Sequence, residues 1–219
     1  LGPAFDEFAA SGDWAAAEAC VEEVLRIRRA QYGAEHFEVA RALGNLGNAR
    51  MARGSYAAAE PVLREAVRQM SNQTGIPPGL KSSCEANLGV VLAELAWEGR
   101  DQLDRGAAEE RTEEAVTLLQ VCLERRLQDP DVSEPVRAYT RGALGNAMFV
   151  RGVVRARAAQ PPDAANGRAW LAECEALLKA GYDGLTPREG ARSAATGARS
   201  RLLAAGWLVR LYEHWQTIE

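Results

Sequence analysis

A short pattern of small and apolar residues recurs along this chain at a fixed spacing, and the spacing limits the fold more than any other feature. Two copies have the same internal offsets and lie 42 residues apart. The copies are Gly12, Trp14, Ala17, Val21 and Val24, and then Gly54, Tyr56, Ala59, Leu63 and Ala66. Leu88-Gly89 follows Leu46-Gly47 at 42 residues, and Leu144-Gly145 follows after 56 more. A period of this length predicts a stack of helical hairpins, in which each hairpin buries its apolar stripe against its neighbours.

The clearest copy resembles the tetratricopeptide repeat. Leu43, Leu46, Gly47 and Arg50 match its first helix, with Arg50 in place of the usual aromatic residue, and the second pattern copy matches its second helix. The 42-residue period and the stretch from Tyr56 to Leu63 are similar to the kinesin-light-chain-like subtype. The resemblance covers roughly residues 5 to 180. It implies an all-α, right-handed solenoid of antiparallel helical hairpins that binds other proteins.

The spacing divides the chain into about four repeats within a single domain, 1–219. We predict repeats near 1–32, 38–75, 80–128 and 134–181, followed by a terminal helix at 187–217. Asp13 and Ser55 are typical helix N-caps, and Thr186 to Glu189 forms a capping box with proline at the first helical position. Pro61 falls inside a second helix, where its missing N–H should bend the helix.

The third repeat contains 14 extra residues, close to four helical turns. Longer helices in the last two repeats would absorb them without changing the buried face. The acidic segment 98–114 has seven acidic and three basic residues. We predict that this segment faces Arg151, Arg155 and Arg157 of the next hairpin. The alternative is two separately solvated charged faces.

Composition excludes several classes of function. The formal charge of −4 argues against a nucleic-acid partner, which usually requires a basic face. No apolar run reaches the roughly 20 residues of a transmembrane helix. No signal peptide is visible, although residue 1 is Leu, so a removed targeting peptide stays an open alternative. Four widely spaced cysteines, Cys20, Cys84, Cys122 and Cys174, fit free, buried helical positions, which favours a reducing compartment such as the cytoplasm or an organelle interior.

No catalytic pattern stands out in the sequence. The two histidines, His36 and His214, have no adjacent nucleophile, and the chain lacks phosphate-loop, zinc-protease and paired CxxC motifs. We therefore predict a protein that is not an enzyme and that uses no cofactor or metal.

Asparagines mark the candidate binding surface. Residues spaced three and four apart share one face of a helix, and in this family that face lines the concave groove. An Asn amide offers two donors and an acceptor, which match the groups of an extended peptide backbone. The alternative is that Asn belongs to the repeat pattern without any ligand. The predicted partner-binding residues are Arg41, Asn45, Asn48, Ser83, Asn87, Glu94, Tyr139 and Asn146.

Three functional hypotheses remain open at this point. The first is a scaffold or adaptor that holds a segment of an unidentified protein or peptide partner in the groove. The second is a structural subunit of a larger assembly, attached through its convex face or C-terminal helices, where Trp170, Trp207, Tyr212 and Trp215 concentrate. The third is a regulatory module cut from a larger signalling protein.

Overall fold

The computed structural model describes residues 7–8, 11–100, 105–156, 164–185 and 194–215. Within these residues the chain is helical and contains no strand, which confirms the predicted all-α class. The helices are α1 (Trp14–Tyr32), α2 (Phe37–Ala52), α3 (Tyr56–Ser71), α4 (Pro78–Glu98), α5 (Arg105–Gln128), α6 (Glu134–Ala156), α7 (Ala164–Gly184) and α8 (Ala194–Trp215). The capping box at Thr186 to Glu189 lies outside the described residues.

The chain divides into two compact units, residues 1–91 and residues 92–219, and the boundary along the chain falls within α4. In the first unit α1 packs on α2 and α2 on α3. In the second unit α5 packs on α6, α6 on α7 and α7 on α8, and α8 also contacts α6. The consecutive helices α1 to α3 and α5 to α8 thus pack against each other within their units, as expected for an α-solenoid of tetratricopeptide repeats. The single domain and the four repeat boundaries stay predictions.

Local chemistry sets the helix ends of the first unit. The Asp13 side chain accepts a hydrogen bond from the N–H of Ala16 at 3.0 Å, so its predicted role as the N-cap of α1 is confirmed. Ser55 stands at the N-cap of α3, but its side chain makes no capping hydrogen bond. The ring of His36 caps α2 instead of a typical capping residue, because its Nδ1 accepts from the N–H of Glu38 at 3.2 Å.

Glycines allow close packing inside the helical pairs, as the sequence predicted. A Cβ at Gly47 would lie only 2.4 Å from a methyl carbon of Leu63, so α2 and α3 can approach only because that atom is missing. A Cβ at Gly145 would lie 3.0 Å from the Cβ of Leu177 and 3.1 Å from the carbonyl oxygen of Cys174 on α7.

The later helices are longer, which confirms the predicted lengthening. Helices α2 and α3 have 16 residues each, whereas α4, α5, α6 and α7 have 21, 24, 23 and 21. The acidic segment also meets the next hairpin. Arg151 Nη1 lies 3.3 Å from a carboxylate oxygen of Glu113, and Arg155 pairs with the other oxygen. Arg157 lies outside the described residues.

The four cysteines are free thiols within helices. Cys84, Cys122 and Cys174 are buried, as predicted, whereas Cys20 is half-buried. Burial raises the pKa of both Cys84 and Cys174 to about 12. In the part of the chain that the structure describes, no helix is long and apolar enough to cross a bilayer.

Candidate protein-binding surface

Helices α2 and α4 bring five of the predicted residues, all of them in the first unit, to one surface. Asn48 on α2 and Asn87 on α4 are both half-buried, and the side-chain amide of Asn87 donates a hydrogen bond to the amide oxygen of Asn48. We call the surface around this amide pair the polar row. Its residues are Arg41, Asn45, Asn48, Ser83 and Asn87.

The amide pair uses only part of its hydrogen-bonding capacity. Each Asn side chain has two donor hydrogens and an acceptor oxygen. Among the described residues, the NH₂ group of Asn48 and the side-chain oxygen of Asn87 have no protein partner, and neither does the amide of Asn45. The contact between the two side chains limits their rotamers, while these remaining groups can still bind a ligand.

The other two members of the row have local partners. Arg41 Nη2 lies 2.6 Å from a carboxylate oxygen of Glu38, which also pairs with Arg28 at 3.1 Å. The Ser83 hydroxyl donates to the carbonyl oxygen of Gly79 at 2.7 Å. Because the carboxylate of Glu38 pairs with both Arg41 and Arg28, it balances the positive charge of Arg41 only in part.

The three predicted residues of the second unit lie against α8. Glu94 is 3% exposed and Asn146 is 1% exposed. One oxygen of Glu94 accepts from the indole N–H of Trp207 at 2.8 Å and from the amide of Asn146 at 3.0 Å. The ring centroid of Tyr139 lies 6.3 Å from that of Trp207. The side chains of Glu94 and Asn146 therefore have hydrogen-bond partners within the second unit, and Tyr139 lies beside Trp207. For these reasons we leave the three residues out of the polar row.

Arg210 completes this buried cluster. Its guanidinium donates to both carboxylate oxygens of Glu94, at 2.8 and 3.2 Å, and to the side-chain oxygen of Asn146 at 3.2 Å. The guanidinium carbon also lies 4.6 Å from the ring centroid of Trp97. Sequence reasoning missed both Arg210 and Trp97. No local signal marks Arg210, because Glu94 is 116 residues away.

The C-terminal aromatic residues contribute to packing in the second unit. Trp207 is 1% exposed. Phe149 stacks on Trp170 with ring centroids 5.8 Å apart, and it contacts Trp97 at the same distance. Burial therefore accounts for Trp207, one of the residues for which the sequence allowed either an interface or a core role.

Within the described ranges, no group of three or more His, Cys, Asp and Glu side chains is placed to hold a metal ion.

A family model described as a tetratricopeptide repeat matches residues 4–72. The match covers the part of the chain where the repeat pattern is clearest, and it supports the interpretation of this chain as a tetratricopeptide repeat protein. Repeats of this family generally mediate interactions between proteins. No curated protein matches the chain.

Proposed function

We propose that this protein is a non-catalytic scaffold or adaptor that binds an extended segment of a partner protein on the polar row. The amide pair of Asn48 and Asn87 is the observation that carries the proposal. The contact connects α2 with α4 on a half-exposed surface, and it leaves one donor group and one acceptor oxygen without a partner among the residues that the structure describes. An extended backbone offers the complementary carbonyl and N–H groups.

Preorganisation supports this function. A side chain that is already held by a neighbour loses less conformational entropy when it binds a ligand. Backbone recognition through amides places little demand on the partner's sequence. Arg41 shares its carboxylate partner, Glu38, with Arg28. Arg41 would therefore favour a partner segment that places an acidic side chain next to α2.

A structural subunit of a larger assembly is the second candidate function. Two exposed apolar side chains on α8 favour this function, since Leu202 is 74% exposed and Val209 is 54% exposed. The two residues lie seven positions apart, so they share a face of the helix. Exposed apolar side chains in such a row are typical of helical interfaces.

One capture experiment separates the two candidates. Wild type, a triple variant (Asn45→Ala, Asn48→Ala, Asn87→Ala) and a double variant (Leu202→Ser, Val209→Ser) are each used as bait in lysate of the source organism. The control is Asn72→Ala, because Asn72 is an exposed asparagine outside the polar row. Thermal denaturation first establishes that the four baits are folded to the same extent.

If the protein is an adaptor, only the triple variant should fail to capture the partner. The affinity of the triple variant for the purified partner should be reduced about tenfold or more. A partner that the triple variant retains and the double variant loses would contradict the adaptor and favour the structural subunit. Loss of binding in the Asn72→Ala control would show that the effect is not specific to the polar row.

A further inference from the structure

Helix α8 has a buried side and an exposed side. Ala204, Trp207 and Leu211 are buried in the second unit, where α8 contacts α6 and α7. At 100° per residue, Leu202 and Val209 lie on the opposite side of the helix. Their exposures of 74% and 54% show that no described part of the chain covers this side. An apolar helix face is therefore left open to solvent.

The exposed side of α8 has a regular spacing. Arg199, Leu202, Gly206, Val209 and Glu213 follow one another at intervals of three, four, three and four residues. Core positions of a coiled coil have the same spacing, so all five residues share one face of the helix. The last four are exposed and Arg199 is half-buried. We call these five residues the α8 stripe.

The α8 stripe is complementary to an antiparallel copy of itself. Arg199 stands seven residues before Gly206 and Glu213 stands seven residues after it. When two α8 helices run antiparallel with their glycines face to face, each Arg199 lies level with Glu213 of the other copy. Leu202 and Val209 stand four and three residues from the glycine, so they lie level to within about 1.5 Å. Opposite charges thus meet at both ends, and apolar side chains meet between them.

Gly206 supports the same arrangement independently. Among the described residues, no atom lies within 4 Å of a Cβ added at this position. Packing within the chain therefore does not require glycine here, although glycine weakens a helix relative to alanine. A glycine at the centre of a helix pair lets the two backbones approach closely, as Gly47 does between α2 and α3.

The charges of the stripe also select the orientation. In a parallel pair, Arg199 would lie beside Arg199 and Glu213 beside Glu213, and these like charges repel. The antiparallel pair has two-fold symmetry, so each copy uses the same surface and the assembly closes at two chains.

We propose that the α8 stripe is a homodimer interface, in which α8 of a second copy of this chain packs antiparallel around Gly206 with an Arg199–Glu213 ion pair at each end. An interface of one helix from each chain is smaller than the roughly 1,200–2,000 Å² of stable complexes. The dimer should therefore be weak, with a Kd of about 10–100 µM.

This inference goes beyond the proposed function. The interface lies in the second unit and does not depend on the polar row. If the polar row binds a partner as proposed, the dimer carries two such rows and gains avidity for a partner with two matching segments. The second copy also occupies the apolar side chains that the structural-subunit candidate assigns to a different protein.

The first test is sedimentation velocity of the full chain at concentrations from well below to well above that Kd. We expect a reversible shift from one chain to two chains as the concentration rises. The double variant Leu202→Ser, Val209→Ser should stay monomeric. Gly206→Gln should weaken the dimer about tenfold or more by separating the helices, without disturbing the single chain. Thermal denaturation of each variant establishes that it is folded.

The second test exchanges the charges. Arg199→Glu and Glu213→Arg should each weaken self-association about tenfold or more, because each variant brings like charges together at both ends. Mixed in equal amounts, the two variants should form a heterodimer, since each then supplies the charge that the other lacks. The chain with both substitutions should dimerise like wild type. The matched control is Arg29→Glu, the same change at an exposed arginine of α1, which should also dimerise like wild type.

Four results would overturn the proposal. One is a chain that stays monomeric at every concentration, which would leave Leu202 and Val209 to a different protein. Another is self-association that persists undiminished in both single charge variants. The third is a mixture of these variants that forms no heterodimer, and the fourth is equal weakening by Arg29→Glu. The triple Asn variant of the polar row should dimerise like wild type, so failure of the interface and failure of the adaptor function are distinguishable.

Discussion

Arg50 and Glu18 form an ion pair that joins α2 to α1, with Nε donating to a carboxylate oxygen at 2.9 Å. The same guanidinium donates to Glu22 at 2.8 Å and to the carbonyl oxygen of Ala58 on α3 at 3.2 Å. One side chain thus connects three helices of the first unit. Arg50 stands where the tetratricopeptide pattern usually has an aromatic residue. Ion pairs and hydrogen bonds therefore take the place of apolar packing at this position.

Replacing Arg50 with Met should lower the free energy of unfolding by about 1–2 kcal/mol. The variant keeps an unbranched, apolar side chain but loses hydrogen bonds to two carboxylates, one of which, Glu18, is only 14% exposed. Urea denaturation at neutral pH measures the change. Arg26→Met is the matched control, because its pair with Glu23 is exposed and should contribute much less to stability. An equal loss in both variants would contradict the special role of Arg50.

Glu18 should make the first unit sensitive to acid. Burial raises the pKa of Glu18, but hydrogen bonds from Arg53 and Arg50 outweigh this effect and lower the pKa below its ordinary value. A lowered folded-state pKa gives a stabilisation that is complete above the unfolded-state pKa and is lost as the pH falls. Between about pH 6 and pH 3, wild type should therefore lose more stability than Glu18→Gln. Urea denaturation at both pH values measures the difference, and equal losses would contradict it.

The buried pair of Glu94 and Arg210 should show strong coupling. Arg210→Met leaves the Glu94 side chain, which is only 4% exposed, without its charged partner. The free energy of unfolding should therefore fall by about 3–5 kcal/mol. Glu94→Gln combined with Arg210→Met removes both charges and should recover much of that loss. A double-mutant cycle by urea denaturation measures the coupling. Additive effects of the two substitutions would show that the pair is not coupled.

Two glycines should respond to alanine in opposite directions. Gly47→Ala places a methyl group 2.4 Å from Leu63, and should destabilise by about 1–2 kcal/mol despite the better helix propensity of Ala. Gly206, on α8, has no atom within 4 Å of an added Cβ, so Gly206→Ala should stabilise by about 0.5–1 kcal/mol. Thermal and urea denaturation measure both changes. A stabilised Gly47→Ala would show that the α2–α3 contact is looser than described.

The thiols should differ in reactivity. Cys20 is half-buried, whereas the other three cysteines are buried, and burial raises the pKa of Cys84 and Cys174 to about 12. Because the thiolate is the reactive form, iodoacetamide at about pH 8 should modify Cys20 first. Peptide mass spectrometry identifies the site, and denatured protein, in which all four should react, is the control. Early modification of Cys84 or Cys174 would contradict their burial.

Local features of the fold were predictable from the sequence. The N-cap at Asp13, the close packing at Gly47 and the longer helices after residue 78 follow from residue type, periodicity and residue size, which act between near neighbours. The contact of Glu113 with Arg151 was also predictable, because adjacent hairpins place their turns side by side. Ser55 occupies the N-cap position of α3, as predicted, but its hydroxyl makes no capping hydrogen bond.

The candidate site was predictable only in part. Helical spacing puts Asn48 on the same face as Asn45, and the repeat period puts Asn87 at a matching place on α4. The same reasoning assigned Glu94 and Asn146 to the face that lines the groove, where a partner could reach them. It failed there because exposure depends on which helix packs on top, and Arg210 on α8 lies 64 residues further along the chain than Asn146. The partners of Arg50 escaped prediction for a related reason, since all of them come from other helices.

The distance along the chain between Glu94 and Arg210 has a consequence for biosynthesis. Arg50 and its carboxylate partners lie within 32 residues of one another, so the ribosome releases them nearly together. Glu94 leaves the ribosome 116 residues before Arg210. Because domains fold as they emerge, the first unit can complete its ion pairs early, whereas the carboxylate of Glu94 stays hydrated until α8 has been made. The burial of Glu94 therefore follows the synthesis of α8 and comes after the first unit has formed its ion pairs.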